Sequence, residues 1–237
     1  MIRERKGNIF TTEAQTIVNT VNCVGVMGAG IAYEFRLRHP EMYRRYADFC
    51  KMGEIEIGKL WIYRPPEREQ RSGYRQVLNF PTKRDWKHPS KEEYLRDGLQ
   101  KFRETYRERG ITSVAFPLLG ADKGGITPRR SLDLMKEYLA ECDLDVEIWH
   151  FDPHARDDLY EAFRNLFAGL DEEGIRRMTG LRRDKIRLLV ASLGDKGINS
   201  FSGLLRVRGI GAGTVEKLFE FFLRKREPNL FDFCGTD

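Results

Sequence analysis

A lysine in the stretch NFPTKRDW, residues 79–86, is the residue of this sequence best placed to do chemistry. Lys83 follows an apolar run and a proline, and the glycine-rich stretch VNTVNCVGVMGAG occupies residues 18–30 upstream. A glycine loop can surround a phosphate with backbone N–H groups, and a deprotonated lysine amine is a nucleophile. The two stretches together predict chemistry on a nucleotide, with Lys83 as the leading catalytic residue. A surface lysine in a polar turn is the alternative.

Two glycine-rich segments follow predicted buried strands and precede helices, which is a context in which loops bind anions. The first contains Gly25, Gly28 and Gly30, and the second is LGADKGG at residues 119–125. A tight strand-to-helix turn explains either loop alone, but two loops at one sheet edge can hold one diphosphate from both sides. The sequence lacks a GxxxxGK[ST] stretch and the acidic residue of a dinucleotide fold, which disfavours P-loop hydrolases and NAD dehydrogenases.

Strand and helix patterns alternate along the first two thirds of the chain. Strands are predicted at residues 2–6, 16–22, 60–63, 76–80, 113–119 and 146–151. A helical segment is predicted at residues 29–49, with a break at His39-Pro40. Two further helices are predicted to begin at Ser90 and at Pro128. Glu93, three positions after Ser90, predicts a capping box. Strands that alternate with crossover helices predict a mostly parallel sheet covered by helices. In such sheets the ligand lies at the carboxyl ends of the strands.

Composition limits the class of protein. The 237 residues are 41% apolar, which is enough for one substantial domain and a small one. The sequence has no run of about 18 uncharged apolar residues and no apolar signal-peptide core, so a cytoplasmic protein without membrane contact is expected. Its four cysteines, Cys23, Cys50, Cys142 and Cys234, form no C-x-x-C pair. Reduced thiols, no zinc and no other cofactor are therefore expected.

Four motifs in this order resemble the macrodomain family, whose fold binds ADP-ribose. They are GNI at residues 7–9, IVNTVNCVGVMGAGIAYEF at 17–35, NFPTKRDWKHPSKEEYLRDGL at 79–99 and FPLLGADKGGI at 116–126. The MGAGIA loop and the NFPTK lysine are similar to the branch that contains the DarG antitoxins and the human terminal ADP-ribose glycohydrolase. The resemblance covers residues 1–155 and implies a three-layer α/β/α sandwich with a mixed, mostly parallel sheet.

The resemblance implies an ADP-ribose site along both loops. Asn8 stands where many macrodomains have an aspartate that accepts from the adenine amino group, and an amide oxygen can accept the same bond. Ile9 is expected to pack against the base and Asn22 to bond the distal ribose. The implied ADP-ribose-binding residues are Asn8, Ile9, Asn22, Gly25, Met27, Gly28, Gly30, Leu119, Gly120, Ala121, Lys123, Gly124 and Gly125.

Lys83 matches the catalytic lysine of that branch and is expected to face the anomeric carbon of the distal ribose. Because a free lysine has a pKa of about 10.4, the amine needs burial or a cationic neighbour, such as Arg84 or Lys123, to become a nucleophile. A protonated Lys83 would instead stabilise or protonate the leaving base. Asp122 is the candidate acid–base partner, and Asp85 is the alternative.

Trp86 and Arg84 are expected to contact the nucleobase, although a loop tryptophan is as often a packing residue. The resemblance thus implies a hydrolase that removes ADP-ribose from DNA bases, with modified DNA as substrate and ADP-ribose as product. A non-catalytic reader of ADP-ribosylated DNA or protein is the alternative from another class. A further alternative is an enzyme that hydrolyses protein ADP-ribose or O-acetyl-ADP-ribose.

The C-terminal segment is strongly basic. Residues 174–208 hold nine Lys or Arg against two acids. The net positive charge of this segment is therefore larger than the net charge of +5 of the whole chain. Residues 204–219 resemble a helix-hairpin-helix motif, and a fainter copy lies 29 residues earlier around Gly180. A small all-α DNA-binding domain is expected at residues 171–227, joined by a connecting helix or linker at 156–170.

The resemblance to a helix-hairpin-helix implies contacts with the DNA backbone from the turn and from nearby arginines. The implied residues are Arg182, Arg183, Arg208, Gly209 and Gly211. A solvated helix face and a hairpin that mediates protein contacts are the alternatives. In the DarG antitoxins the C-terminal region engages the partner toxin, so a cognate DNA ADP-ribosyltransferase is a candidate partner that this tail does not imply.

Overall fold

The computed structural model describes residues 1–66 and 73–226, and the chain divides into two compact units, Met1–Ala155 and Arg156–Asp237. The described strands of the first unit are β1 (Ile2–Gly7), β2 (Thr16–Asn22), β3 (Trp61–Tyr63), β4 (Gln76–Lys83), β5 (Ser113–Pro117) and β6 (Asp145–Phe151). They form one sheet in the order β1-β6-β5-β2-β4-β3, in which β3 runs antiparallel to β4 and the other pairs are parallel. The predicted mixed, mostly parallel sheet is confirmed.

Helices cover both faces of this sheet. Helices α1 (Gly30–Arg38) and α2 (Pro40–Lys51) pack on one face, and α3 (Glu92–Thr105) and α4 (Pro128–Leu139) pack on the other. Successive strand residues point to opposite faces of the sheet. Ile17 therefore lies in the core that α1 and α2 cover, and Val18 lies in the core that α3 and α4 cover. Both faces of the central strands are buried, which explains their nearly continuous apolar runs. The three-layer α/β/α sandwich is confirmed.

Pro40 separates α1 from α2, as predicted, because proline disfavours helical backbone in the residue before it. The predicted capping box of Ser90 and Glu93 is wrong. Helix α3 begins at Glu92, and its N-cap, Lys91, makes no side-chain capping bond to any described residue. Ser90 is instead buried against the second glycine loop, so tertiary packing takes the place of the local cap.

The second unit is helical in its described part. It contains α5 (Asp158–Ala168), α6 (Glu172–Thr179), α7 (Arg183–Leu193), α8 (Phe201–Leu204) and α9 (Ala212–Arg226). Its core is rich in aromatic rings, and the Phe163 ring contacts those of Tyr160, Phe167, Phe201 and Phe222. The segment predicted to connect the two domains therefore contributes α5 to this core.

A helix–glycine–helix pattern occurs twice in the second unit. Gly180, with φ of +65°, lies between α6 and α7, and Gly209, with φ of +99°, lies between α8 and α9. The two turns are 29 residues apart, which is the spacing seen in the sequence. Helix α8, which precedes the second turn, has four residues. Residue 227 and Cys234 lie outside the described residues. In the described parts of the chain, every helix is too short or too polar to cross a membrane.

Candidate active site

Three loops meet at one edge of the sheet. Strands β5, β2 and β4 are parallel neighbours, and each is followed by one loop at its carboxyl end. The first loop covers residues 23–29, the lysine loop 84–91 and the second loop 118–127. The glycine-rich motifs and Lys83 are thus brought together by the strand order, although they lie far apart in the sequence.

Asn22, the last residue of β2, shapes the first loop through its side-chain amide. Its Oδ1 accepts from the backbone N–H groups of Val24 (3.0 Å) and Val26 (3.3 Å), and its Nδ2 donates to the Val26 carbonyl (2.5 Å). The Tyr46 hydroxyl of α2 lies 2.7 Å from the Asn22 carbonyl oxygen and 3.0 Å from its Oδ1. The sequence predicts Asn22 as a ribose ligand, whereas its amide is engaged here with the loop itself.

Helix α2 forms the floor of the first loop. Gly25 has φ of +80°, and a Cβ there would lie 3.4 Å from the Ala47 Cα and 3.6 Å from the Cys50 Cβ. The Met27 side chain is fully buried beneath the loop, with its Sδ 3.9 Å from the Asn19 Nδ2. The loop therefore lies in van der Waals contact with α2, and a side chain at position 25 would be strained by the left-handed φ.

The first loop runs directly into the N-terminus of α1. Gly28 is exposed, and Gly30 opens the helix with a left-handed φ of +57°. The first N–H groups of a helix lack partners within the helix, so they are available to an anion. This end of the loop has the backbone donors that a diphosphate needs.

Lys83 ends β4 and lies between the two glycine loops. The Arg84 carbonyl accepts from the Cys23 N–H (3.1 Å), which ties the lysine loop to the first loop. On the other side, the Lys83 Nζ donates to the Lys123 carbonyl of the second loop. The amine is thus placed where a sugar attached to a diphosphate between the loops would be found.

Partial burial lowers the pKa of Lys83, and the nearby Asp122 carboxylate opposes this shift by favouring the protonated amine. The sequence left two causes open for such a shift, burial or a cationic neighbour such as Arg84 or Lys123, and burial is the one that acts on this amine. The Arg84 guanidinium lies over the Tyr94 ring, 5.6 Å from its centroid, and Lys123 presents its carbonyl oxygen to the amine. Burial is the cause of the shift.

The second loop is a compact turn closed by its own backbone. Leu119 is buried, and Gly120 and Gly125 have φ of +64° and +83°. A 3₁₀ turn spans Asp122–Gly124, and the Gly124 N–H donates to the Ala121 carbonyl (2.7 Å). The side chains of Asp122 and Lys123 are exposed on this turn, where they can reach a bound ligand.

Ser90 is a residue of this site that the sequence assigned to helix capping alone. Its backbone N–H donates to the Gly124 carbonyl (2.8 Å), which is a second tie between the lysine loop and the second loop. Its side chain is buried against the inner side of Gly124 and Gly120. The packing of Ser90 against two glycines that lie 30 residues or more away gives no signal in the sequence.

Asn8 and Ile9 lie at the carboxyl end of β1, near the far edge of the sheet. The Asn8 Oδ1 accepts from the Phe10 N–H (3.1 Å), and Ile9 is buried. Phe151, which the sequence did not single out, pairs with Gly7 at the end of β6 and is 75% exposed. Because β1 and β4 are four strand spacings apart, roughly 19 Å, these residues and Lys83 can share only an extended ligand.

Trp86 lies at the exposed rim of the lysine loop. Its ring is 53% exposed, and the Lys87 amine lies 5.5 Å from its centroid. The neighbouring Asp85 is partly buried, and its Oδ1 accepts from the Lys87 N–H (2.9 Å). Trp86 is therefore available to stack on a base, while Asp85 stabilises the local turn.

The thiols near the site do not provide an alternative nucleophile. Burial raises the pKa of the Cys23 thiol to about 11, so this group stays neutral at ordinary pH. Cys50 lies beneath the first loop, and burial also raises its pKa. In the described residues, no group of His, Cys, Asp or Glu side chains is arranged to hold a metal ion.

The turns of the second unit differ in their contacts. The Gly209 carbonyl accepts from the Lys185 Nζ (2.5 Å), and Gly211 is exposed just before α9. Arg182 lies 3.4 Å from Asp184, whereas Arg183 and Arg208 are exposed and form no ion pair with any described residue. The surface beside both turns is therefore positively charged.

Comparison with known proteins shows the family of this chain. Residues 18–135 match the Macro domain family. The structure of the Mycobacterium tuberculosis DarG macrodomain is 39% identical, with a TM-score of 0.59 over 63% of this chain and 97% of that one. The chain belongs to the macrodomain family.

Two further relatives resemble this macrodomain protein. A Thermus aquaticus protein named DNA ADP-ribosyl glycohydrolase is 36% identical over 65% of this chain and 41% of its own length. The structure of Thermosipho africanus DarTG in complex with ADP-ribose is 32% identical, with a TM-score of 0.57 over 65% of this chain and 42% of that one. The chain thus spans about two fifths of the length of these relatives.

Proposed function

We propose that this macrodomain protein is a DNA ADP-ribosyl glycohydrolase, which removes ADP-ribose from modified nucleobases and uses Lys83 as its nucleophile. The observation that carries the proposal is the place of the Lys83 amine between the two glycine loops, tied to the second loop through the Lys123 carbonyl. A diphosphate bound between these loops presents its distal sugar to that amine.

The site fits an extended nucleotide. Adenine lies at the β1 end, with Asn8 as its acceptor, Ile9 against one side and the exposed Phe151 ring available for stacking. The diphosphate takes the backbone N–H groups of the two glycine loops and the N-terminus of α1. The distal ribose then lies at the carboxyl end of β4, next to Lys83.

The reaction proceeds in two steps. The neutral Lys83 amine attacks the anomeric carbon, the N-glycosidic bond breaks, and the base leaves with the bonding electrons and takes up a proton. Water then attacks the same carbon, which frees ADP-ribose and restores the amine. Asp122 is the candidate for moving these protons because its charge acts on Lys83. Asp85 is the weaker candidate, since its carboxylate is bonded within its own turn.

DNA is the substrate that the relatives and the charge of the chain favour. The Thermus aquaticus relative carries the name of a DNA ADP-ribosyl glycohydrolase. Trp86 and Arg84 contact the flipped nucleobase beside the site. In the second unit, Arg182, Arg183 and Arg208 bind the phosphate backbone together with the N–H groups near Gly209 and Gly211, as in a helix-hairpin-helix domain.

The chain divides into two compact units between residues 155 and 156, which supports one activity for each unit. We assign ADP-ribose binding and catalysis to residues 1–155 and DNA binding to residues 171–227. A DNA ADP-ribosyltransferase must supply the modified base, so such an enzyme is the proposed partner in the reaction sequence. Both then act in the cytoplasm, where the DNA is accessible.

Substitution of Lys83 tests the proposal. Wild type incubated with ADP-ribosylated DNA should restore the base and release ADP-ribose, whereas Lys83→Ala should lower the rate by at least 100-fold. Lys91→Ala is the matched control, because its amine lies over the Tyr94 ring and outside the glycine loops. Mass spectrometry of the DNA gives the readout, and modified protein and O-acetyl-ADP-ribose are compared as substrates in the same assay.

A non-catalytic reader is the second candidate function. It is favoured by the Asp122 carboxylate, because its charge favours the protonated form of Lys83, which is not a nucleophile. A reader would bind ADP-ribose in calorimetry while wild type and Lys83→Ala leave the modified DNA equally intact. That pair of results would replace the hydrolase assignment.

A further inference from the structure

The tip of the lysine loop is a turn that holds Trp86 in solvent. The Asp85 Oδ1 accepts from the Lys87 N–H (2.9 Å), and the Asp85 carbonyl accepts from the His88 N–H (3.2 Å). Two hydrogen bonds to one residue thus fix the backbone around Trp86, which is 53% exposed. An aromatic ring that a fixed turn exposes is available to stack on a base, because every base has a π-face.

Lys87 is a cation on this turn without an acidic partner. Its amine lies 5.5 Å from the centroid of the Trp86 ring, and it forms no ion pair with any described residue. Lys91 of the same loop differs, since its amine lies 5.6 Å from the ring centroid of the buried Tyr94 and 3.5 Å from the Glu93 carboxylate. An exposed ring beside an unpaired cation is the combination with which proteins bind a nucleic-acid strand.

The order of Lys83, Trp86 and Lys87 along the loop follows the order of groups in a modified nucleotide. In ADP-ribosylated DNA, the base joins the anomeric carbon of the distal ribose to a deoxyribose, which carries the backbone phosphates. Trp86 and Lys87 follow Lys83 by three and four residues, so their backbones lie within about 14 Å of it. A base beyond the anomeric carbon therefore comes next to Trp86, and the phosphate beyond its sugar is within reach of Lys87.

We propose that Lys87 binds a backbone phosphate next to the modified nucleotide while the base of that nucleotide stacks on Trp86. The inference rests on the proposed function and deepens it, because it gives the macrodomain unit its own contact with the DNA strand, in addition to the contact assigned to the second unit. Arg84, the other cation of the loop without an ion pair, is assigned to the base itself. The modified nucleotide must then be out of the duplex stack, either flipped or in a single strand.

Two substrates test this contact in the full chain: an ADP-ribosylated nucleoside, which has no backbone phosphate, and a single-stranded trinucleotide with the same modified base at its centre. Lys87→Gln should lower kcat/KM for base release from the trinucleotide about tenfold at low salt, since a charge-assisted hydrogen bond to phosphate is lost. The loss should shrink as the salt concentration rises. The rate on the nucleoside should not change, and Lys87→Arg, which keeps the charge, should retain most of the rate on the trinucleotide.

Lys91→Gln is the matched control, because it removes the same charge from the same loop at a place where a carboxylate already pairs with it. It should leave both rates unchanged. A neutral methylphosphonate in place of either phosphate of the trinucleotide then identifies the phosphate that Lys87 contacts. At one of the two positions it should slow the wild type about tenfold but Lys87→Gln by less than about threefold, because that variant lacks the contact already.

Three results would overturn the inference. Equal losses of Lys87→Gln on both substrates would mean that Lys87 supports the loop, equal losses of Lys87→Gln and Lys91→Gln on the trinucleotide would mean that only the overall charge matters, and an unchanged Lys87→Gln would mean that no contact exists. Dissociation constants for the two intact substrates, from fluorescence anisotropy, separate the inference from the proposed function. A wild type that releases no base, but binds the trinucleotide more tightly than the nucleoside through Lys87, would refute the hydrolase and keep the phosphate contact.

Discussion

At the scale of single residues, Lys83 is subject to two opposing influences. Burial lowers the pKa of its amine, whereas the Asp122 carboxylate favours the protonated form. A nucleophilic amine must be neutral, and the neutral fraction rises as the pH passes through the pKa from below. Asp122 therefore reduces the amount of nucleophile at a given pH, and any benefit it brings must come from moving protons.

The variant Asp122→Asn distinguishes charge from proton transfer. If Asp122 acts by its charge, its removal lowers the pKa of Lys83 further, and the rising limb of the rate against pH moves to lower pH. If Asp122 moves protons in the reaction, the rate falls at every pH, by about 100-fold. We expect the second outcome. The measurement is the single-turnover rate of base release between pH 6 and pH 10, with the exposed Asp133→Asn as control.

At the scale of secondary-structure elements, α2 determines the shape of the first loop. Tyr46 reaches Asn22 from this helix, and the Asn22 amide in turn bonds the backbone at Val24 and Val26. Tyr46→Phe should leave the Asn22 carbonyl without its hydroxyl donor, which costs about 1–3 kcal/mol of stability for a buried group. We also expect ADP-ribose to bind about tenfold more weakly, because the loop loses its support.

Tyr43→Phe is the control for Tyr46→Phe. It removes a hydroxyl from the same helix, and the Tyr43 ring contacts Arg36 away from the loop. Calorimetric titration with ADP-ribose and thermal unfolding should show little change for Tyr43→Phe. An equal loss of affinity in both variants would mean that α2 does not support the loop through Tyr46.

The close approach of Gly25 to α2 gives a second prediction for this element. Gly25→Ala and Gly53→Ala both place a side chain at a left-handed φ, +80° and +74°, so each should lose about 1–2 kcal/mol of stability. Gly25 lies in the first loop, whereas Gly53 follows the end of α2. Only Gly25→Ala should therefore lose ADP-ribose affinity in calorimetry, because its backbone strain falls on the loop that binds the ligand.

The same elements show how far the sequence predicts this structure. Strand and helix positions follow from local patterns of apolar residues, proline and glycine, and the order of the motifs places Lys83 near both loops. The capping box fails because Ser90 packs against Gly120 and Gly124, which no local pattern contains. The role of Tyr46 and the tie between Cys23 and Arg84 likewise depend on tertiary contacts between distant segments.

At the scale of the whole molecule, the positive charge is concentrated in one segment of the second unit, residues 174–208. Nine Lys or Arg and two acids lie in residues 174–208, although the chain as a whole carries +5. Arg183 and Arg208 form no ion pair with any described residue, so binding to phosphate breaks no ion pair there. Arg176, in contrast, is paired with Glu173 at 2.7 Å. Substitution of the paired Arg176 can therefore serve as the control for substitution of the unpaired Arg183 and Arg208.

The double variant Arg183→Gln and Arg208→Gln should weaken binding to DNA without altering the macrodomain site. Each lost phosphate contact lowers the slope of log affinity against log salt by about one, so the slope should fall by about two. Arg176→Gln should leave the slope nearly unchanged, since its partner already neutralises it. The expected signature is slower base release from long modified DNA at low salt, a smaller difference at high salt, and an unchanged rate on a modified mononucleotide. A mononucleotide has no phosphate chain for a backbone-binding surface to hold. An equal loss of rate on the mononucleotide would therefore mean that these arginines support the fold and do not bind the DNA backbone.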